Sequence, residues 1–344
     1  MATYNRLNPE DTAVSTDKVV SNTWSDNTNI LQHHFTSSTQ TAISTATSQG
    51  NFFIEVFTSS SNQGVKPIEG EGPVQYTLSY GHKAGSGSLN FTSTAGALGN
   101  TATKVIYNQY RQLVFGDETS NFTFNGFESN DIWVINVARG RYKHALKARS
   151  LNLKLNDGSN TLHLTDDSVT TSGSATVTNL GRQFNLVSGS SGVRSGSTTV
   201  QTVSGSYGFF YPDSGFIILN PRALSMSIAI SESVGANENN HNHHLFKNAI
   251  SGGNSFIVDS EEKVTSQYFF TRAKNNEFNY TTNPSFIDTN GNLNFTSMVD
   301  NPKTFITTIG LYNDSNDLVA VAKVSQPISK DFSKEALMRV KLDY

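Results

Sequence analysis

The 344-residue chain has no cysteine, two tryptophans and eight prolines, and only 15% of its residues are charged. Without cysteine there are no disulfides and no thiolate metal sites, which is compatible with assembly in a reducing cytoplasm. The charged fraction falls well below the ~25% of an ordinary globular chain, and Ser, Thr and Asn make up the difference. Basic and acidic residues nearly balance, 25 against 28, for a net charge of −3. No global field therefore draws the chain to nucleic acid or an anionic membrane. No apolar run approaches the ~18 residues of a spanning helix. The first residues, Met1 to Asn8, have no apolar h-region, so no secretory signal is expected. What the chain does contain is 22 Phe and 12 Tyr set among Thr, Ser and Asn. Thr suits a pleated sheet, Asn and Ser suit turns, and the aromatics argue against wholesale disorder. The expected fold is mainly β, with sandwich-type antiparallel sheets, a few short helices and an extended N-terminal arm.

Residues 1–48 are polar with sparse apolar anchors, Val19, Val20, Trp24, Ile30, Leu31 and Phe35. They read as an arm that packs on the body or on a neighbour. Trp24 is costly to leave in water, which makes it a candidate interface residue. A β-rich domain is expected over 49–167. Its strands are Phe52 to Phe57, Gln75 to Tyr80, Phe122 to Phe124 and Asp131 to Val137, the last apolar on both faces and therefore central. Ile106, Tyr110, Leu113 and Val114 recur at helical spacing between a capping Thr101 or Thr103 and Gly116, which predicts one helix. Leu151, Leu153 and Leu155 alternate into Asn156-Asp157-Gly158 before Leu162 and Leu164, a hairpin pattern.

Residues 168–205 are rich in Ser, Thr and Gly and suggest a subdomain or linker. A second β-rich domain, 206–344, opens with Tyr207 to Pro221 as strand, turn and strand, with a helix starting at Pro221. A further helix spans His243 to Ile250, and Lys263 to Arg272 with Asn276 to Thr281 looks like a strand pair. At the C-terminus, Thr304 to Tyr312 and Leu318 to Val324 flank the turn-forming run 313–317 and read as a hairpin. In the last run Met338, Val340, Leu342 and Tyr344 alternate with Arg339, Lys341 and Asp343. Ile309, Leu311, Val324, Val340 and Leu342 have core spacing, while Ile306, Val319 and Val321 give the hairpin a second apolar face. A strand apolar on both faces is covered on both, so Ile306, Val319 and Val321 are candidate contacts to a neighbouring subunit.

No catalytic constellation emerges. His241 and His244 would share a helix face near Glu238, but a structural zinc site needs four ligands; a solvated helix start accounts for them, and His33-His34 fares no better. Gly81 to Ser88 contains Lys83 ahead of its later glycines, not the G-x-x-x-x-G-K-[ST] order of a phosphate loop. There is no G-x-S-x-G elbow. Asp166-Asp167 and Glu261-Glu262 are adjacent pairs that in strands would point to opposite faces, whereas glycosidases need two converging carboxylates. No cofactor is expected. One charge feature stands out: Arg139, Arg141, Lys143, His144, Lys147 and Arg149, with no acid among them. It fits a solvated face, a docking patch for an acidic subunit, or a set of phosphate contacts.

Several phrases carry a resemblance. They are Tyr80-Gly81-His82-Lys83, Lys104 to Arg111, Phe209-Phe210-Tyr211-Pro212-Asp213, Asn283-Pro284-Ser285-Phe286, Asn301 to Tyr312 and Lys330 to Leu337. In this order they resemble virion structural proteins of contractile-tailed bacteriophages, especially baseplate wedge subunits. The resemblance implies a non-enzymatic structural role in the virion tail or baseplate, assembly in the host cytoplasm, dimer formation, and other tail or baseplate proteins as partners. A receptor- or carbohydrate-binding virion protein and a glycan-degrading tail enzyme are the alternatives.

Overall fold

The computed structural model describes residues 5–24, 53–57, 74–87, 101–169, 175–195, 205–230, 242–253 and 255–344. The protein is mainly β, built on large antiparallel sheets, with three α-helices among the described residues. The first strands in chain order are β1 (Thr12–Asn22), β2 (Phe53–Phe57), β3 (Val74–His82), β4 (Phe122–Phe124), β5 (Phe127–Ser129) and β6 (Asp131–Val137). They are followed by β7 (Ala145–Leu146), β8 (Asn152–Asn156), β9 (Thr161–Asp166), β10 (Thr176–Thr178), β11 (Gly181–Ser190), β12 (Val193–Arg194) and β13 (Gly208–Tyr211). The last are β14 (Phe216–Leu219), β15 (Phe256–Ile257), β16 (Asp259–Ala273), β17 (Thr304–Tyr312), β18 (Leu318–Lys330) and β19 (Ala336–Asp343). The helices are α1 (Ala102–Phe115), α2 (Pro221–Ile228) and α3 (Asn242–Gly253).

Two compact units result: Val19–Glu262, and Met1–Lys18 together with Lys263–Tyr344. These limits differ from the ones composition suggests near residues 48, 167 and 205. The Ser/Thr/Gly-rich stretch is no linker; it supplies β10, β11 and β12, and β11 lies inside a sheet between β9 and β13.

The larger unit is organised by one sheet in the order β15-β8-β9-β11-β13-β14-β6-β3-β2. Strand β6 sits between β14 and β3 and is buried on both faces, as its unbroken apolar run requires. On one face Trp133, Ile135 and Val137 join Tyr76, Leu78 and Tyr80 of β3, Leu224 of α2 and Phe246 of α3. On the other, Ile132 and Val134 join Ile106, Tyr107, Tyr110 and Val114 of α1. The Thr101 hydroxyl accepts from the Lys104 amide at the start of α1, and Gly116 ends the helix at φ 74°, where a side chain would be strained. Leu113, expected in the core, is exposed; Tyr107 takes the buried place. The α1 face turns with Gly81 of β3, where a Cβ would lie 2.8 Å from the Tyr107 backbone nitrogen. The β8–β9 hairpin buries Leu153, Leu155, Leu162 and Leu164.

In the smaller unit β16 is flanked by β1 and β19, and β17 and β18 form a separate two-stranded sheet. The final strand therefore does not extend the C-terminal hairpin: Phe269 faces Val340 and Thr271 faces Met338 in the β16–β19 pairing. Its alternation is as read, with Val340 buried and Arg339 and Lys341 exposed. Residues 276–281 form no strand, and β16 takes β19 as partner instead. Of the expected arm, residues 12–22 form a strand rather than a free extension, while Ile30, Leu31 and Phe35 lie outside the described residues.

Candidate interface surfaces

Trp24 is 2% exposed. Its indole Nε1 donates to the Phe256 carbonyl at 2.7 Å, and its ring lies 5.0 Å from Phe256 and 5.6 Å from Tyr76. It packs into the core of its own unit, so of the two coverings the sequence left open, the body or a neighbour, the body is the one seen. The reason is local: β15 and β3 bring two aromatic rings and a carbonyl acceptor to one place, and an indole satisfies all three.

The basic run leaves β6 through a single 3-10 turn, Arg139–Arg141. Arg139 is exposed, yet its Nη1 donates to the Tyr142 carbonyl at 2.7 Å and its guanidinium lies 4.6 Å from the Tyr142 ring centre. Ala145 and Leu146 are buried as β7, pairing with Ser260 and Glu261. Lys147 is half-buried and opposes Asp259, whose carboxyl is raised by burial and pulled back by that lysine. Arg149 adopts φ 74°, and its amide donates to both carboxylate oxygens of Asp166 at 3.0 Å. Arg141 is half-buried and Lys143 exposed. The run is thus partly spent on its own unit, not a uniform basic face.

The carboxylates behave likewise. Asp166 accepts from Arg149 and Ser168 while Asp167 accepts from the Asn185 amide and side chain, so the adjacent pair diverges. Burial raises the Asp131 carboxyl, and hydrogen bonds from Tyr80 (3.0 Å) and Ser129 (3.2 Å) offset part of that rise. Among the described residues no three His, Cys, Asp or Glu side chains gather as metal ligands. His243 is buried, and His33, His34, Glu238 and His241 lie outside the described residues, as does the side chain of His244.

The C-terminal hairpin is different in kind. Val319 is 67% and Val321 54% exposed, Tyr312 and Leu318 are exposed beside them, and Phe305 is exposed towards the other end of β17. Ile306, Ile309, Leu311 and Val324 are only half-buried. By alternation along β17, Thr304 and Ile306 are covered on one face and Ile309 and Leu311 on the other, so neither face is covered throughout. The register explains part of this: residues 324–327 of β18 stand opposite Thr307 alone, and Val319 is a further extra residue beside Leu318. At both irregularities the extra residues are on β18. No protein-family model, curated protein or solved structure matches this chain.

The rest of the smaller unit offers the hairpin little core. Its buried apolar residues are Ala273, Phe286, Ala336 and Val340, and both apolar core clusters of the described residues lie in the other unit. It also buries a lysine. Lys330 is fully buried at the end of β18, its Nζ donating to Asn279 Oδ1 (2.8 Å) and to the carbonyls of Asp331 (3.0 Å) and Asn275 (3.1 Å). Three acceptors satisfy its three donors. No hydrophobic or motif signal marks Lys330 in the sequence, where it reads as one more polar residue before a turn.

Proposed function

We propose that this chain is a non-catalytic structural subunit of a bacteriophage particle, of the kind found in the baseplate wedge of a contractile tail, acting through contacts with other tail or baseplate proteins. The observation that carries the reading is the β17–β18 hairpin, apolar on both faces and covered throughout on neither. Exposed apolar patches of this extent mark association sites, and an isolated two-stranded sheet is at best marginal in water. The low charge agrees with a protein whose work is burial of surface. The sequence phrases that resemble virion proteins supply the kind of assembly. Mass spectrometry and single-particle reconstruction of purified particles test it: the chain should occupy a fixed place with its hairpin against a neighbour. Its absence from particles, or a hairpin standing free in solvent there, would refute the reading.

A second reading draws on a different observation. Phe278, Tyr280 and Phe295 are exposed in the Asn-rich stretch that follows β16, with Tyr280 edge-on to Phe286 at 5.8 Å. Exposed rings among amides suit the faces and hydroxyls of a sugar. A glycan array decides: specific retention lost on Tyr280→Ala would favour receptor binding, and no retention would remove it.

A further inference from the structure

We infer that Lys330 and Asn279 are the two ends of a covalent cross-link, an isopeptide bond that the folded chain forms within itself. The bond lies inside the smaller unit and does not depend on the subunit reading above. Both side chains are buried, Lys330 fully and Asn279 to 6% exposure, and Lys330 Nζ donates to Asn279 Oδ1 at 2.8 Å. The amide carbon is one C=O bond beyond that oxygen, about 1.2 Å. A small rotation of the amide therefore brings Nζ to the near-attack separation of about 3–3.5 Å. The amide is also held. Asn279 Nδ2 donates to the Asn275 carbonyl at 2.6 Å, the same oxygen that accepts from Lys330 Nζ at 3.1 Å. Nucleophile and leaving group share one acceptor and lie side by side.

The backbone before the amide is placed at some cost. Phe278 has φ 56°, in the left-handed region that a bulky side chain seldom occupies. Its carbonyl accepts from the Thr304 hydroxyl at 2.6 Å, and Thr304 stands opposite Lys330 in the β17–β18 register. The base of the hairpin thus fixes both reacting residues, Lys330 directly and Asn279 through the residue before it.

The step needs no oxidant and no co-reactant. The lone pair of the deprotonated Nζ attacks Asn279 Cγ, the Cγ–Nδ2 bond breaks, and the nitrogen leaves as ammonium with the two protons that Nζ gives up. One ammonium and one amide enter, and one amide and one ammonium result. Glu277, two residues before Asn279, is the carboxylate that relays those protons. It is held below the usual carboxylate range chiefly by the Lys274 amide, with the charge of Lys330 among the smaller causes.

The product suits the site better than the reactants do. The three hydrogen-bond partners of Lys330 are neutral oxygens, which satisfy its donors but leave a desolvated charge. The new amide is neutral, and the ammonium is released to water. The bond joins positions 51 residues apart, and closing so long a loop restricts the unfolded chain as a disulfide would. A unit with few buried apolar residues gains from such a staple, and the chain has no cysteine to make one by oxidation.

Mass spectrometry of the full folded chain tests this. The wild type should weigh one ammonia less than its sequence, and proteolysis should release a branched peptide joining the Asn279 and Lys330 segments. Lys330→Met, which keeps most of the side chain and removes the amine, should retain the full sequence mass and give only linear peptides, as should Asn279→Ala. Glu277→Gln should close roughly tenfold or more slowly in a refolding time course, and closure at the wild-type rate would overturn the relay. A wild type at full mass with only linear peptides overturns the cross-link, and that result needs no variant to fold. Loss of ammonia without the branched peptide overturns it equally, because an asparagine has then closed on its own backbone instead.

Discussion

Two single residues show how differently burial can be satisfied. Trp24 fills an aromatic pocket and donates its one polar hydrogen to Phe256. Trp24→Ala should cost about 3–5 kcal/mol, the usual range for emptying so large a buried site, read as a shift of the urea midpoint of the larger unit. A shift below about 1 kcal/mol would mean the ring is not part of that core. Asp131 is the opposite case, an acid held where its charge is poorly solvated. Its folded pKa lies above the ordinary carboxylate value because burial outweighs the hydrogen bonds from Tyr80 and Ser129. A raised acid pKa contributes stability that is complete below the unfolded pKa and is lost as pH rises through the folded one. Asp131→Asn, fixed in the neutral form, should therefore gain on the wild type as pH rises through and above the ordinary carboxylate range. The comparison is of the two unfolding free energies at each pH, and a difference that stays flat would contradict the shift. The sequence showed that Trp24 had to be buried but not by what, since its partners lie some fifty and two hundred residues away. Asp131 gave no sign at all, because its burial depends on strands β3 and β6 being neighbours.

Elements were most legible where one local pattern decides them. The repeat of Ile106, Tyr110 and Val114 with Thr101 before it and Gly116 after it is a helix whatever surrounds it, and α1 follows those limits closely. The leucines of β8 and β9 and the two-sided run of β6 were equally plain. Partnership between elements was not. The sequence placed a strand at residues 276–281 beside β16, whereas β16 pairs with β19 from seventy residues downstream. A strand's own alternation says which face is apolar and nothing about which edge meets it. The packing of α1 on β3 illustrates a constraint of the same kind. With a Cβ 2.8 Å from the Tyr107 nitrogen and 3.0 Å from its Cα, the Gly81 site meets rigid backbone that has no rotamer to change. Gly81→Ala should push the helix off the strand and cost about 1–3 kcal/mol, as overpacked sites do. A denaturation curve matching the wild type would show that the approach is looser than this geometry.

At the scale of the whole chain, the two units differ in how they are held together. The larger buries aromatic and aliphatic side chains on both faces of one sheet; the smaller buries few apolar residues and a lysine tied to three acceptors. The sequence foreshadowed this only as an average, a chain with thin core material, because composition cannot say which residues go without. The second apolar face of the hairpin was readable from spacing at Val319 and Val321, and both are exposed. Ile306 was grouped with them, yet it is half-buried, because the covered face changes along β17. This gives the sharpest test of the proposed role. A surface substitution away from packed features usually changes stability by no more than about 0.5 kcal/mol, so Val319→Asp and Val321→Asp should fold as the wild type does. A charge buried without a partner in an interface costs far more than that. The same variants should therefore fail to enter particles, or enter them at least tenfold less well in a complementation assay. Ile306→Asp, at a half-buried position, should instead lose stability in the isolated protein. If Val319→Asp and Val321→Asp unfold the isolated chain, that face is closed by the chain itself; if they fold and assemble normally, the hairpin is not the docking surface.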